Sequence, residues 1–179
     1  AKLEGGLDLL NANARLTAEI ARVSGVVPQV AVVTGICAGT NAINAAAADV
    51  CVMAEDAELF LNAPFNAEDK VANAGSAAFA AKAGVAAVTA ADAVAAAKQA
   101  ASIVALLPAN NLAGPALFDF AAPSKALDLV KYSAADAIAA LADEGSTVEL
   151  YAGYGKNIVT ALATINGSAV GILATEKAA

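Results

Sequence analysis

Residues 26–50 constrain the fold more than any other part of the chain. This segment, VVPQVAVVTGICAGTNAINAAAADV, has no charged side chain before Asp49. Its β-branched start is typical of a buried strand. A turn from Gly35 to Thr40 follows, and NAINAAAA then predicts a helix. A buried strand, a glycine turn and a helix in this order predict an α/β fold.

Two stretches, residues 23–48 and 157–175, are free of charge and are therefore candidates for membrane spans. Asn, Gly, Thr or Ser interrupt both of them, and Pro28 lies inside the first. A spanning helix needs about 20 predominantly apolar residues. Buried strands and turns are therefore the favoured interpretation, and no transmembrane segment is predicted. Because 59% of the chain is hydrophobic, most of it must be buried in a core or against partners.

The remaining elements follow from local signals. The apolar spacing predicts an amphipathic helix over residues 7–23, and short strands are expected within residues 49–55, 57–64 and 84–90. Helices are predicted over residues 67–82 and 90–107, the second capped by Thr89 or Asp92 and stopped by Pro108. A loop rich in turn residues, 108–124, separates these elements from a helix within 133–145. Asn166-Gly167 between two β-like runs predicts a hairpin.

Composition excludes several classes of function. The net charge of −7 and the presence of only two arginines argue against a nucleic-acid surface. There is no histidine, so the chain has no Ser-His-Asp triad and no imidazole ligand for zinc; no metal site is predicted. Cys37 and Cys51 do not form a CxxC motif and are expected to be reduced. Nothing points to a secretory signal, so a cytoplasmic location is expected.

The turn after the first strand is the one place where chemistry needs few side chains. Backbone N–H groups at a turn between a strand and a helix can hold an oxyanion or an enolate oxygen. Gly39 and Thr40 occupy that position. The alternative is a tight turn that binds nothing, and spacing alone favours this alternative.

Several motifs, however, resemble those of the biotin-dependent acyl-CoA carboxyltransferases. Residues 24–64 match this family's SGV(I/V)PQ segment, its G-x-C-A-G-G turn, its D-x-x-x-M strand and its LF(L/V)xxP strand in order. LLPANN at 106–111 is similar to the LP-(S/A)-NN element before the family's linker. Residues 151–174 resemble the opening of the family's second domain. The resemblance therefore covers most of the chain.

The resemblance implies a crotonase-like (ClpP/crotonase) fold. Residues 1–123 would form the later part of an N-terminal carboxyltransferase domain, and residues 124–179 the start of a C-terminal one. Family members are usually oligomers, because each site lies between two such domains. A homo- or hetero-oligomer is therefore expected.

The resemblance also implies the reaction. Carboxyl would pass between biotin, held by a separate biotin carboxyl carrier protein, and the α-carbon of an acyl-CoA, in carboxylation or decarboxylation. The backbone amides of Gly39 and Thr40 would form the oxyanion hole, and Ala38, Asn41, Ile43 and Asn44 would contact the substrate. The family's second glycine is replaced by Thr40, which retains the N–H group.

Two other functions are compatible with the sequence. A CoA-thioester hydratase or isomerase of the crotonase group would share the fold, but this chemistry usually adds a carboxylate near the oxyanion hole. No Asp or Glu lies between Arg22 and Asp49. A non-catalytic assembly subunit of a carboxylase complex is the second alternative, and Thr40 in place of glycine favours it.

Overall fold

A computed structural model describes residues 6–63, 73–128 and 130–176. Its elements in chain order are α1 (Gly6–Val23), β1 (Val30–Val33), β2 (Ile36–Ala38), α2 (Thr40–Ala46), β3 (Val50–Ala54), β4 (Glu58–Phe60), α3 (Ala77–Lys82), β5 (Val88–Ala90), α4 (Ala93–Leu106), α5 (Ala134–Leu141), β6 (Val148–Leu150), β7 (Ile158–Ile165) and β8 (Ser168–Thr175). The prediction of a mixed α/β chain is confirmed.

The main core is built around a parallel sheet with the strand order β1-β3-β5. Every residue of β3 is buried, and Val52, Met53 and Ala54 are completely inaccessible to solvent. A parallel strand covered on both faces is expected to be apolar throughout, as VCVMA is. Helix α4 packs on this sheet and buries Ile103 fully.

The region predicted as a simple turn, Gly35 to Thr40, contains strand β2, so that prediction is wrong in this detail. β2 pairs in parallel with β4 to form a separate two-stranded sheet. Cys37 and Leu59 pack on the main core from one face of this sheet. The other face is open, and Ile36 is 76% exposed there. Local sequence does not reveal this short strand, because its pairing partner lies some twenty residues further along the chain.

Helix boundaries follow their caps. Asp92 accepts a hydrogen bond from Ala95 N at 2.7 Å, which confirms it as the cap of α4 rather than Thr89. The helix predicted over 67–82 begins only at Ala77, because the Ser76 side chain caps it there and the chain turns at 73–75. Residues 67–72 of that prediction, and Pro64 of the predicted strand, lie outside the described residues.

The second region is an antiparallel sheet of order β6-β7-β8 on which α5 packs. β7 and β8 form the predicted hairpin, in a register that pairs Ile165 with Ser168. Asn166 and Gly167 both have positive φ, 51° and 75°, which is the conformation of a type I′ turn. A small separate core forms beneath the hairpin around Ile138 and Ala163.

The two regions are joined by packing and by backbone hydrogen bonds. Val148, Leu150 and Leu162 of the antiparallel sheet pack against the core of the parallel sheet. The connecting segment 116–121 is bound to the hairpin, where Phe118 N donates to Gly167 O at 2.7 Å. The boundary between residues 123 and 124 stays a prediction. In the described part of the chain, no helix combines the length and apolarity that a membrane span requires.

Candidate functional site

Gly39 sits where β2 turns into α2, and its backbone conformation is one that other residues rarely adopt. Its φ is 61° and its ψ is −133°, and it occupies the N-cap position of α2. A Cβ placed on Gly39 would meet no atom within 4 Å. Glycine is therefore required here for its backbone freedom and not for lack of space. Within the part of the chain that the structure describes, no atom fills the space beside Gly39.

Hydrogen bonds decide which amides of this turn are free. Gly39 N donates to Phe60 O at 3.1 Å, as the last rung of the pairing between β2 and β4. The Gly39 N–H is therefore already used, which corrects the expectation that both predicted amides are available. Within residues 6–63 and the other described segments, Thr40 N–H has no backbone acceptor. Thr40 is exposed and begins α2.

The structure gathers three of the four predicted substrate-contacting residues around the turn. Ala38, Asn41 and Ile43 are exposed beside it. Asn44 points elsewhere: its side-chain oxygen accepts a hydrogen bond from the Thr17 hydroxyl of α1 at 2.9 Å. The Asn44 amide nitrogen is buried and lacks a partner among the described residues. This side chain therefore links α1 to α2, and any contact of Asn44 with substrate remains a prediction.

The two cysteines are unsuited to nucleophilic chemistry. Burial raises the pKa of the Cys37 thiol, and burial together with the nearby Cys37 raises the pKa of Cys51 to about 11. Only the thiolate is a strong nucleophile, so both side chains stay neutral near pH 7. Cys37 lies in β2 and its side chain faces the core. It shapes the turn through packing.

Two of the motif segments meet at the opposite end of the strands. Asn111 N donates to Val26 O at 2.9 Å, so LLPANN is held against SGVVPQ. A cavity of about 230 Å³ lies between them and is lined by Pro28 and Pro108. Gln29 N donates to the Asp49 carboxylate at 2.8 Å, which fixes the start of β1 beside β3. These segments hold the strands in place and do not contribute to the Gly39 turn.

The comparisons with known proteins agree with this arrangement. The carboxyl transferase domain matches the chain over residues 1–179. The chain belongs to the carboxyl transferase domain family. The methylmalonyl-CoA carboxyltransferase 12S subunit of Propionibacterium freudenreichii subsp. shermanii is 32% identical over 98% of this chain and 37% of its own length. The methylmalonyl-CoA decarboxylase subunit alpha of Veillonella parvula is 27% identical, over 98% of this chain and 38% of its own.

Solved structures give the same result. The transcarboxylase 12S hexamer, crystallised with methylmalonyl-CoA and methylmalonic acid, superposes with a TM-score of 0.86 at 30% identity, over 98% of this chain and 38% of that one. A single-chain, multi-domain long-chain acyl-CoA carboxylase superposes with a TM-score of 0.71 at 27% identity, over 88% of this chain and 17% of that chain. The predicted crotonase-like fold is confirmed. The chain spans less than two-fifths of the length of these curated relatives.

The described part of this carboxyl transferase domain offers little other chemistry. Asp143 is the one buried carboxylate of this part, and both of its oxygens already accept hydrogen bonds. It accepts hydrogen bonds from Thr164 Oγ1 and Gly167 N, both at 2.7 Å, and from Asn166 N at 2.9 Å. Burial alone would raise the pKa of Asp143, but these donors outweigh it and hold the pKa below its usual value.

Sequence reasoning misses Asp143. The sequence predicts a helix within residues 133–145, but α5 ends at Leu141 and Asp143 follows it. Nothing local shows that the hairpin folds over Asp143. Cavities also lie away from the Gly39 turn. One of about 390 Å³ is apolar and lies between Gly84 and the antiparallel sheet, beside Tyr154 and Leu173. Among the described residues, no three His, Cys, Asp or Glu side chains are grouped as metal ligands would be.

Proposed function

We propose that this chain is part of a biotin-dependent acyl-CoA carboxyltransferase, acting in a carboxylase or a decarboxylase. Carboxyl would move between N1 of biotin and the α-carbon of an acyl-CoA thioester. The observation that carries the proposal is the match of the carboxyl transferase domain along residues 1–179. The open turn at Gly39, at the position of the family-like G-x-C-A-G motif, supports it.

In this proposal, the Thr40 N–H binds the thioester oxygen. When the α-carbon loses its proton, negative charge develops on that oxygen, and a fixed donor stabilises the resulting enolate. Biotin, when bound, would supply the carboxyl group: the new C–C bond would form to the carboxyl carbon as its bond to N1 breaks, and N1 would take the proton. Ala38, Asn41 and Ile43 would contact the acyl group from the exposed side of the turn.

Biotin would supply or receive the carboxyl group at its N1 and would be attached to a separate carrier protein. The family-typical attachment lysine stands between methionines, whereas the only methionine of this chain is Met53, which is completely buried. We further propose that the protein works as a cytoplasmic oligomer, in line with the hexamer formed by the transcarboxylase 12S subunit.

The hydratase or isomerase alternative usually adds a carboxylate near the oxyanion hole. The segment that forms the turn contains none, since no Asp or Glu lies between Arg22 and Asp49. The assembly-subunit alternative predicts that substitutions at Thr40 leave activity unchanged. An assay of turnover with variants at Thr40 therefore separates both alternatives from carboxyl transfer.

The test uses the full-length protein and follows carboxyl transfer from carboxyl-labelled methylmalonyl-CoA or malonyl-CoA to free biotin. We expect labelled carboxybiotin from the parent protein. Thr40→Pro should lower kcat by about 10²- to 10³-fold, because the N–H donor is lost. Proline is tolerated at the first position of a helix, which is the position that Thr40 holds in α2.

Thr40→Ser is the matched control, because it keeps the N–H and the hydroxyl, and it should retain most of the activity. Hydration of an unsaturated acyl-CoA without transfer to biotin would support the alternative enzyme instead. If the Pro and Ser variants transfer carboxyl at the same rate, the Thr40 amide has no part in the reaction.

A further inference from the structure

A cavity of about 390 Å³ lies beside the antiparallel sheet, and none of its lining residues belongs to the Gly39 turn. Two tyrosines of the segment 151–155 line it, together with two apolar side chains of the sheet, Ile158 and Leu173. Its volume is within the range of about 300–1,000 Å³ that is typical of small-molecule sites. The proposed carboxyl transfer makes no use of this cavity.

The apolar side chains around the cavity are exposed together. Leu173 is 79% exposed, Tyr154 55% and Ile158 50%. Leu173 lies opposite Thr160 in the pairing of β7 with β8, so it shares a sheet face with Ile158, two residues before Thr160. The hydroxyl of Thr160 is already used, because it donates to Leu150 O at 2.7 Å. The sheet therefore presents an apolar surface to the cavity, which is typical of a binding site.

The backbone fixes the two tyrosines of the cavity wall. Tyr151 has a φ of 59°, which is uncommon for a bulky side chain. Its N–H donates to Ala87 O at 2.7 Å, and its carbonyl accepts a hydrogen bond from Tyr154 N at 2.9 Å. The Tyr154 ring lies on Gly84, where a Cβ would be 3.2 Å from the ring. Backbone strain of this kind is concentrated at functional sites, and the two hydrogen bonds hold the wall in place before any ligand binds.

Two lysines flank the cavity in the sequence. Lys82 ends α3 two residues before Gly84, and Lys156 directly follows Gly155; both glycines line the cavity. Both lysines are exposed, and neither forms a salt bridge with another residue that the structure describes. Because the chain has a net charge of −7, two unpaired cations beside one apolar cavity favour an anion there.

We infer that this cavity binds a small amphiphilic anion, an alkyl carboxylate of medium length. The alkyl chain fills the cavity against Tyr154, Ile158 and Leu173. The carboxylate stays at the surface near Lys156 and Lys82, because burial of an unpaired charge is costly. Water fills such an apolar space poorly, since a bound water needs about two to four polar partners. The inference goes beyond carboxyl transfer and does not depend on it.

The first experiment compares octanoate with 1-octanol, which has the same chain length but no charge. Saturation-transfer NMR on the full-length protein gives the Kd of each compound. Octanoate should bind more tightly by roughly 2- to 5-fold, the range of an exposed ion pair. Lys156→Met should remove this difference and leave the Kd of 1-octanol unchanged. Lys98→Met is the matched control, at an exposed lysine of α4, and should behave as the parent.

The second experiment removes part of the apolar wall. Leu173→Gln should raise the Kd of both compounds by roughly 3- to 10-fold, because apolar contact area is lost. Since Leu173 is 79% exposed, this change leaves the folded core intact. Leu112→Gln, at a 91% exposed leucine that does not line the cavity, is the control and should change neither Kd.

Three outcomes would overturn the inference. The first is the absence of saturable octanoate binding, which is also the result expected if another part of the full-length chain fills the cavity. Equal Kd values of octanoate and 1-octanol in the parent would show that the site does not select an anion. Unchanged binding by Leu173→Gln would place octanoate elsewhere. Binding that responds to Lys156→Met and Leu173→Gln, but to neither control, supports the site even in a protein that transfers no carboxyl to biotin.

Discussion

Gly39 and Gly167 both lie in turns and both have positive φ, 61° and 75°, yet their surroundings differ completely. A Cβ on Gly39 would meet nothing within 4 Å, whereas a Cβ on Gly167 would lie 2.4 Å from Phe118 O. Gly167 is buried, and its N–H donates to the carboxylate of Asp143. Gly39 is partly accessible and is followed by Thr40, whose N–H and hydroxyl have no hydrogen-bond partner among the described residues.

The comparison separates two uses of glycine. At Gly167 the chain needs both the backbone conformation and the absence of a side chain, since the connecting segment 116–121 packs directly on the turn. At Gly39 it needs the conformation alone. A turn whose surroundings are full and whose polar groups are paired serves the fold, and a turn with open surroundings and unpaired donors can bind a ligand. The three predictions below test this distinction in the full-length protein.

The largest effect is expected for Gly167→Ala. The added methyl group collides with the Phe118 carbonyl, and alanine is also strained at positive φ, so stability should fall by about 2–5 kcal/mol. Urea unfolding measures the loss. Gly145→Ala is the matched control, because Gly145 has φ +74° and open space around it. This control should cost about 1–2 kcal/mol. Equal losses in the two variants would show that the packing on Gly167 does not matter.

A smaller effect on stability is expected for Gly39→Ala. Strain in the backbone costs about 1–3 kcal/mol, with no added clash. Relief of that strain would move Thr40, so carboxyl transfer should fall much more than stability does. Gly35→Ala, just before β2, has open space around it and no positive φ. It should change stability by roughly 0.5 kcal/mol or less. Full activity of a folded Gly39→Ala protein would contradict this account of the turn.

The smallest effect is expected for Asp143→Asn, in the way that stability depends on pH. Because the folded protein holds the pKa of Asp143 below its usual value, the charged carboxylate stabilises the fold. That contribution is complete above the unfolded pKa of about 3.9 and is lost as pH falls through the lower pKa of the folded state. Asp143→Asn should be less stable than the parent at pH 7 and should lose less stability on acidification. Urea midpoints measured from pH 7 to pH 3 give both quantities.

Asp119→Asn makes the same chemical change at an exposed position and should follow the parent curve. If the parent and Asp143→Asn lose the same amount of stability as the pH falls, the charge of Asp143 does not stabilise the hairpin turn.

Elements with local signals are predictable from sequence. The amphipathic spacing predicts α1, Asp92 is one of two predicted caps for α4, and Asn166-Gly167 predicts the hairpin. Elements that depend on distant partners are not predictable in this way. β2 has three residues and exists because β4 supplies its hydrogen bonds, and Asp143 is buried because a hairpin more than twenty residues away folds over it. Propensity is a weak guide where long-range pairing decides the conformation.

For the candidate site, the sequence by itself determined where the chemistry could lie: an apolar strand, glycines and a helix in a chain without histidine leave the backbone around Gly39 and Thr40 as the source of donors. Only the tertiary structure decided which donors are free. The N–H of Gly39 donates to Phe60 O, and the side-chain oxygen of Asn44 accepts a hydrogen bond from Thr17 of α1. The physical reason is that a hydrogen-bonding group has limited capacity, and its partner is chosen by the strand or helix that folding brings beside it.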